Sequence, residues 1–163
     1  MVVSRCLGFQ ACRYDGGTVE SPQVNELSSR VEFIAVCPEV DIGLGVPRQP
    51  INLQDVGGWM RVVQEVTGRD LTDELQRYSE ETLRSVGDVD AFILKSGSPS
   101  CGLGTARRVN AEGEMRSASG VFAAEAQRLF PSRIFVDEKD LSKMGVEGFL
   151  LLIGAPEPSE PRP

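Results

Sequence analysis

Helical patterns that alternate with short, continuously apolar runs predict an α/β fold: a Rossmann-like three-layer sandwich in which helices cover both faces of a mainly parallel sheet. Two further observations support it. The runs Val2-Val3-Ser4, Phe33-Ile34-Ala35-Val36, Asp90-Ala91-Phe92-Ile93-Leu94-Lys95 and Ile134-Phe135-Val136 lack the alternation of half-exposed strands, as strands buried on two sides should. The 163 residues, 40% hydrophobic and 25% charged, suit one domain that buries enough apolar surface to fold without staples. A single domain over residues 1–155 is expected, followed by a proline-rich acidic tail over 156–163 that frays.

The first strand ends in Cys6-Leu7-Gly8 and the turn-rich Tyr14-Asp15-Gly16-Gly17, which mark a loop. Ser21-Pro22 supplies a cap and a proline for a short helix, with Val24, Leu27 and Val31 at helical spacing. The second strand stops at Cys37-Pro38-Glu39. From Asp41 to Trp59 the chain is rich in Gly, Pro and Asn and is expected to form an ordered, irregular excursion, a kind of segment that usually carries function. A strand over Met60 to Val66 precedes a helix that starts at Asp70 or Thr72 and buries Leu71, Leu75, Tyr78 and Leu83. The third core strand runs directly into Ser96-Gly97-Ser98-Pro99-Ser100-Cys101-Gly102 and an irregular stretch to about Ser117. A helix near Gly120 to Phe130, the fourth strand and a last helix, capped by Asp140 and extending through Leu152, complete the chain.

The net charge of −7 provides no field that would draw the chain onto nucleic acid or an anionic membrane. No apolar stretch reaches the ~20 residues of a membrane span, and Met1 leads into Val2-Val3-Ser4-Arg5-Cys6 without a leader pattern, so a cytoplasmic protein with no membrane partner is expected. The chain contains no histidine, which removes Ser-His-Asp and Cys-His catalysis, HExxH zinc sites and Cys/His fingers. Its four cysteines, in a chain of this size, are expected as thiols or thiolates rather than disulfides.

Cys6, Cys37 and Cys101 each follow a predicted strand. In an open parallel sheet the C-terminal strand ends share one edge, and ligands bind there. A single free cysteine is most often a small buried hydrophobe. Three of them at strand ends, flanked by Gly8, Pro38 and Gly102, point instead to a ligand site. Structural zinc takes four protein ligands, commonly in CxxC pairs, and is disfavoured because the nearest pair here is Cys6 and Cys12. Thiolate-only ligation suits an iron–sulfur cluster, and three thiolates on a [4Fe-4S] cube leave one iron open as a Lewis acid. Cys12 matches no common cluster spacing and ranks below the other three as a ligand. Two alternatives remain at this point: a binding or structural module whose cysteines hold zinc or nothing, and a thiol redox enzyme that pairs Cys6 with Cys12.

Val3-Ser4-Arg5-Cys6-Leu7-Gly8 with Cys12-Arg13-Tyr14-Asp15-Gly16, then Val36-Cys37-Pro38-Glu39-Val40 with Gly45-Val46-Pro47-Arg48, then Leu94-Lys95-Ser96-Gly97-Ser98-Pro99-Ser100-Cys101-Gly102 occur in this order. Over residues 2–137 the chain resembles the thiouracil desulfurase family. That resemblance implies an enzyme with a [4Fe-4S] cluster held by Cys6, Cys37 and Cys101, which removes sulfur from thiolated uracil without net redox change. Gly43-Leu44-Gly45-Val46-Pro47-Arg48 and Thr67-Gly68-Arg69-Asp70-Leu71-Thr72 resemble the branch that acts on thiouridine in tRNA; the additional C-terminal domain of that branch is not expected here. Gly97 stands where the family pattern usually has arginine.

The expected substrate is a small thiolated pyrimidine: a base, nucleoside or nucleotide, with thiolated tRNA, reached through a partner, as the alternative. Glu39, two residues from Cys37, is the first candidate for activating water or shuttling a proton. Lys95, Ser98 and Ser100 surround Cys101 as donors to pyrimidine or sulfide, although serines in such turns also satisfy backbone groups. Asp15 is a further catalytic candidate, more readily explained as the residue that fixes its own turn. Arg13, Arg48 and the pair Arg107-Arg108 are candidates for binding a nucleotide phosphate.

Overall fold

A computed structural model describes residues 1–155; the expected tail over 156–163 lies outside the described residues. Along the chain run β1 (Val2–Ser4), α1 (Pro22–Leu27), β2 (Ile34–Val36), α2 (Pro38–Asp41), β3 (Ile51–Val56), β4 (Trp59–Gln64) and α3 (Thr72–Ser85). These are followed by β5 (Ala91–Leu94), β6 (Ala106–Val109), β7 (Met115–Ala118), α4 (Val121–Leu129), β8 (Ile134–Asp137) and α5 (Glu138–Leu152). Among the described residues no helix is long and apolar enough to cross a membrane.

The α/β expectation holds. The four apolar runs form one parallel sheet in the order β2-β1-β5-β8. Successive side chains of these strands enter two different cores, because a strand's residues alternate between faces. Val3, Ala91, Ile93 and Val136 pack with Val24 and Leu27 of α1 and Leu141 and Phe149 of α5. Val2, Val36, Phe92 and Leu94 pack with Leu83 of α3 and Phe122, Ala123 and Ala126 of α4. The chain leaves β1 toward β2 on one side and returns to β5 on the other, so the order reverses at the β1–β5 boundary. In such sheets that boundary, at the C-terminal strand ends, is where a crevice opens.

The two stretches expected to be irregular contain regular structure. Residues 41–59 include β3, and the stretch after Cys101 includes β6 and β7. Together with β4 they make a second sheet in the order β4-β3-β6-β7, two antiparallel hairpins joined by parallel β3–β6 pairing. Gly57 and Gly58, both at positive φ, form the two-residue turn between Val56 and Trp59, a geometry that L-residues with side chains resist. Ile51, Leu53, Val62 and Ala106 bury this sheet against Leu71, Leu75 and Val121. The strand expected over Met60 to Val66 is therefore the second arm of a hairpin.

Helix α5 also begins earlier than expected. Asp137, not Asp140, is its cap, with Oδ1 accepting from the Lys139 and Asp140 N–H groups at 2.9 Å each. Strand β8 thus passes straight into the helix, and Glu138 becomes its first residue.

Phe92 is fully buried at the centre of the parallel sheet, stacked on Phe135 at 4.6 Å and tilted against Phe130 at 5.2 Å. Phe92→Ala is expected to cost about 3–5 kcal/mol, seen as a lower urea midpoint at unchanged m-value.

Candidate functional site

The C-terminal ends of β1, β2 and β5 open on a cavity of about 460 Å³, lined by all four cysteines. Cys6 lies two residues beyond β1, Cys37 is the N-cap of α2 directly after β2, and Cys101 sits in the loop after β5. Two hydrogen bonds fix the three ends against one another. The Arg5 N–H donates to the Val36 carbonyl at 2.8 Å, and the Lys95 N–H donates to Ser4 Oγ at 2.9 Å.

The Cys101 loop is shaped by its own serines and by two glycines. Ser98 Oγ accepts from the N–H groups of Ser100 at 3.2 Å and Cys101 at 3.0 Å, and the Gly102 N–H donates to the Ser98 carbonyl at 2.8 Å. A Cβ on Gly102 would fall 2.8 Å from the Ser98 carbonyl oxygen, and one on Gly120 would fall 2.4 Å from the Ser100 carbonyl carbon. Both glycines therefore exist at van der Waals contact with the backbone that carries Cys101.

Burial pushes the Cys6 thiol up to about 11, with the neighbouring Cys37 adding to it. Burial and contact with Cys37 push Cys12 up to about 12. Burial raises Cys101 as well, against an opposing hydrogen bond from Ser4. Burial thus disfavours the thiolate form of all three, and metal ligation, which needs thiolates, would release their protons. Among the described residues no three Cys, Asp or Glu side chains gather closely enough for a single metal ion. The donor set is sulfur without imidazole, distributed around a cavity wall. That chemistry fits an iron–sulfur group.

Beside the thiols lies a buried polar network. Glu39 Oε2 accepts from Arg48 Nε at 2.9 Å and Nη2 at 2.8 Å, and its Oε1 accepts from Ser100 Oγ at 3.0 Å. The Glu39 and Arg48 side chains are only 11% and 4% exposed. Arg48 Nη1 donates onward to the carbonyls of Cys12 at 2.9 Å and Gly45 at 3.1 Å. On the other side of Cys101, Lys95 Nζ donates to Glu138 Oε1 at 2.8 Å and to the Ser96 carbonyl at 2.6 Å. Glu138 also accepts from Ser96 Oγ at 2.6 Å and the Ser96 N–H at 2.7 Å. Burial works to raise the Glu138 carboxyl, but the bonds from Lys95 and Ser96 outweigh it and hold it below the usual range.

A sequence model of 2-thiouracil desulfurases matches residues 1–138. The chain belongs to the 2-thiouracil desulfurase family. The uncharacterized protein YbbK of Bacillus subtilis strain 168 is 31% identical over 131 residues, spanning 76% of this chain and 87% of YbbK. Among solved structures, the [4Fe-4S]-dependent thiouracil desulfidase TudS matches with a TM-score of 0.72 at 33% identity, over 93% of this chain and 97% of TudS.

In this member of the 2-thiouracil desulfurase family, Cys6, Cys37, Cys101, Glu39, Ser98, Ser100 and Lys95 all line the one cavity. Asp15 does not join them. Its Oδ1 accepts from the Gly17 N–H at 2.9 Å, a bond that lowers the carboxyl's pKa, and the side chain faces solvent. Arg48 is engaged inside the protein with Glu39, whereas the half-buried Arg108 pairs with Asp55 and lines a different cavity. Arg13 and Arg107 line the cavity. Glu138, Ser4 and Gly120 have structural roles at the site that sequence reasoning did not find. Of these, Ser4 alone carried a signal, as a polar residue inside an apolar strand.

Gly120→Ala is expected to displace the Ser100–Cys101 backbone, destabilising the protein by about 1–3 kcal/mol and increasing the rate at which Cys101 is alkylated in metal-free protein. The depressed Glu138 carboxyl contributes stability that is complete above its ordinary value of 4.5 and lost as pH falls through the lowered one. The gap in unfolding free energy between wild type and Glu138→Gln should therefore be widest at neutral pH and narrow as the solution is acidified below 4.5, as followed by urea titration.

Proposed function

We propose that this protein catalyses the iron–sulfur-dependent, non-redox desulfuration of thiolated uracil compounds, releasing sulfide and leaving uracil or uridine. In this reading Cys6, Cys37 and Cys101 hold three irons of a [4Fe-4S] cluster, and the fourth iron has no protein ligand. The observation that carries it is the gathering of these thiols in one cavity beside the buried Glu39–Ser100 pair. When bound, the cluster would supply a Lewis-acidic iron that polarises a thiocarbonyl sulfur.

The chain's own groups then handle water and protons. Glu39 is the carboxylate that takes a proton from the attacking water, and the Ser100 hydroxyl, already hydrogen-bonded to it, passes the proton toward the departing sulfur. Arg48 holds the carboxylate in place through two N–H···O contacts to Oε2. Lys95 presents a fixed positive charge at the cavity wall, anchored by Glu138. Ser98 acts on the Cys101 loop, through the two backbone N–H groups it accepts from.

The substrate class spans thiouracil, thiouridine and its nucleotide. A cavity of about 460 Å³ is in the range that encloses a small ligand. Arg107, which lines it and makes no ion pair among the described residues, is a ready partner for a 5′-phosphate; Arg13 lines the cavity too. Similarity to the thiouridine-acting branch extends the reading to thiolated tRNA brought by a partner. The order β2-β1-β5-β8 with helices on both faces supports a Rossmann-like, doubly wound core for this chemistry.

The test is anaerobic reconstitution followed by iron and acid-labile sulfide analysis. Sulfide release is then measured from 2-thiouracil, 4-thiouracil, 4-thiouridine, 4-thiouridine monophosphate and thiolated tRNA. Iron with labile sulfide and turnover of at least one substrate is expected, with Glu39→Gln slowed by about 10²–10⁴-fold at unchanged iron content. Stoichiometric zinc in place of iron, or no sulfide from any of the five, overturns the proposal.

A further inference from the structure

Cys12 is the fourth thiol of the cavity and has no part in the three-thiol arrangement proposed above. Its side chain is fully buried and lies beside that of Cys37 on the wall of the same cavity. Cys37 Sγ also faces the Cys12 carbonyl oxygen at 3.8 Å. The Cys12 backbone is fixed in this position: its carbonyl accepts from Arg48 Nη1 at 2.9 Å, and its N–H donates to the Gln10 carbonyl at 2.8 Å. Cys37 is the partly exposed member of the pair, so a small reagent entering the cavity meets Cys37 before Cys12. An accessible thiol with a second thiol held against it is the arrangement in which a first oxidation product is captured as a disulfide.

We propose that Cys12 and Cys37 form an oxidisable pair, closed by hydrogen peroxide to a disulfide whenever Cys37 is free of metal. In the first step the Cys37 sulfur attacks one peroxide oxygen. The O–O bond breaks, Cys37 becomes a sulfenic acid, and one water leaves with the thiol proton. In the second step the Cys12 sulfur attacks the Cys37 sulfur, the S–O bond breaks, and a second water leaves with the Cys12 proton. Two electrons pass from the thiols to the peroxide. The disulfide keeps Cys37 from the irreversible sulfinic stage, and a dithiol reductant restores both thiols. Only the protection of Cys37 by bound metal rests on its reading as a cluster ligand; the pair itself does not.

The experiment treats the full chain, metal-free and reduced, with one equivalent of hydrogen peroxide. Remaining thiols are alkylated and the unreduced peptides are mapped by mass. The expected product joins Cys12 to Cys37, lowers the titratable thiols from the four present to two, and reverts with dithiothreitol. In Cys12→Ser the link is absent, and a further arm with excess peroxide, which supplies the second equivalent that the sulfinic stage consumes, accumulates Cys37 sulfinic acid there but not in wild type. A main product joining Cys6 to either partner, or four thiols surviving treatment, overturns the pair; so does Cys12→Ser protein whose Cys37 resists over-oxidation as well as wild type. A parallel arm uses iron-loaded protein, in which the link should form at least about tenfold more slowly. Equal rates there, with the link formed in metal-free protein, overturn the protection and the assignment of Cys37 as ligand while leaving the pair intact.

Discussion

The bond from the Lys95 N–H to Ser4 Oγ and its companion from the Arg5 N–H to the Val36 carbonyl hold together what the sequence keeps far apart. Each of the three strands delivers one thiol, and only the alignment of their ends makes a site of them. Parallel pairing requires both sheet faces to be covered, so the helices that bury Val2 and Val3 on opposite sides are a condition for the cavity as much as for the fold. A slip of one residue in register would turn each strand's side chains to the wrong face and carry its cysteine off the rim.

Around that rim the protein maintains two largely buried ion pairs, Glu39–Arg48 and Lys95–Glu138. Such pairs return little net stability, because desolvating both charges offsets their attraction. Their value here is geometric. Arg48 joins the Glu39 carboxylate to two loops through four N–H···O contacts, and Glu138 fastens Lys95 and Ser96 to the first turn of α5. Every polar atom in the two clusters that matters to the Cys101 loop has a partner, which is how side chains are held in one rotamer before a ligand arrives.

The parallel core was legible because its strands are continuous apolar runs, three of them followed by cysteines in turn-forming company. The second sheet was obscured by composition. Ile51 and Leu53 do alternate with polar neighbours, but Pro47, Pro50, Gly57 and Gly58 surround them, and a window centred there registers loop rather than strand. Strand β6 buries only Ala106 and so offers almost no hydrophobic pattern. At the site, Glu39 and the serines were visible through their closeness to cysteines. Glu138 was not, since it sits in a charged run with Asp137, Lys139 and Asp140, and only the direct passage of β8 into α5 aims it at Ser96. Arg48 was noticed for its charge and assigned to an outside phosphate; nothing local to it announces that Glu39 is its partner.

The wall that faces the thiols has a separate origin. Ile51 and Asn52 of β3 and Arg107 of β6 belong to the hairpin sheet, yet they border the same cavity as Cys6, Cys37 and Cys101. The two hairpins are joined to each other by β3–β6 pairing and, among the described residues, share no ladder with the parallel sheet. Asn52 and Arg107, unlike the core residue Ile51, are therefore open to replacement without loosening the frame that positions sulfur. Selection acting on molecular preference and selection acting on reactivity can proceed on different pieces of the polypeptide.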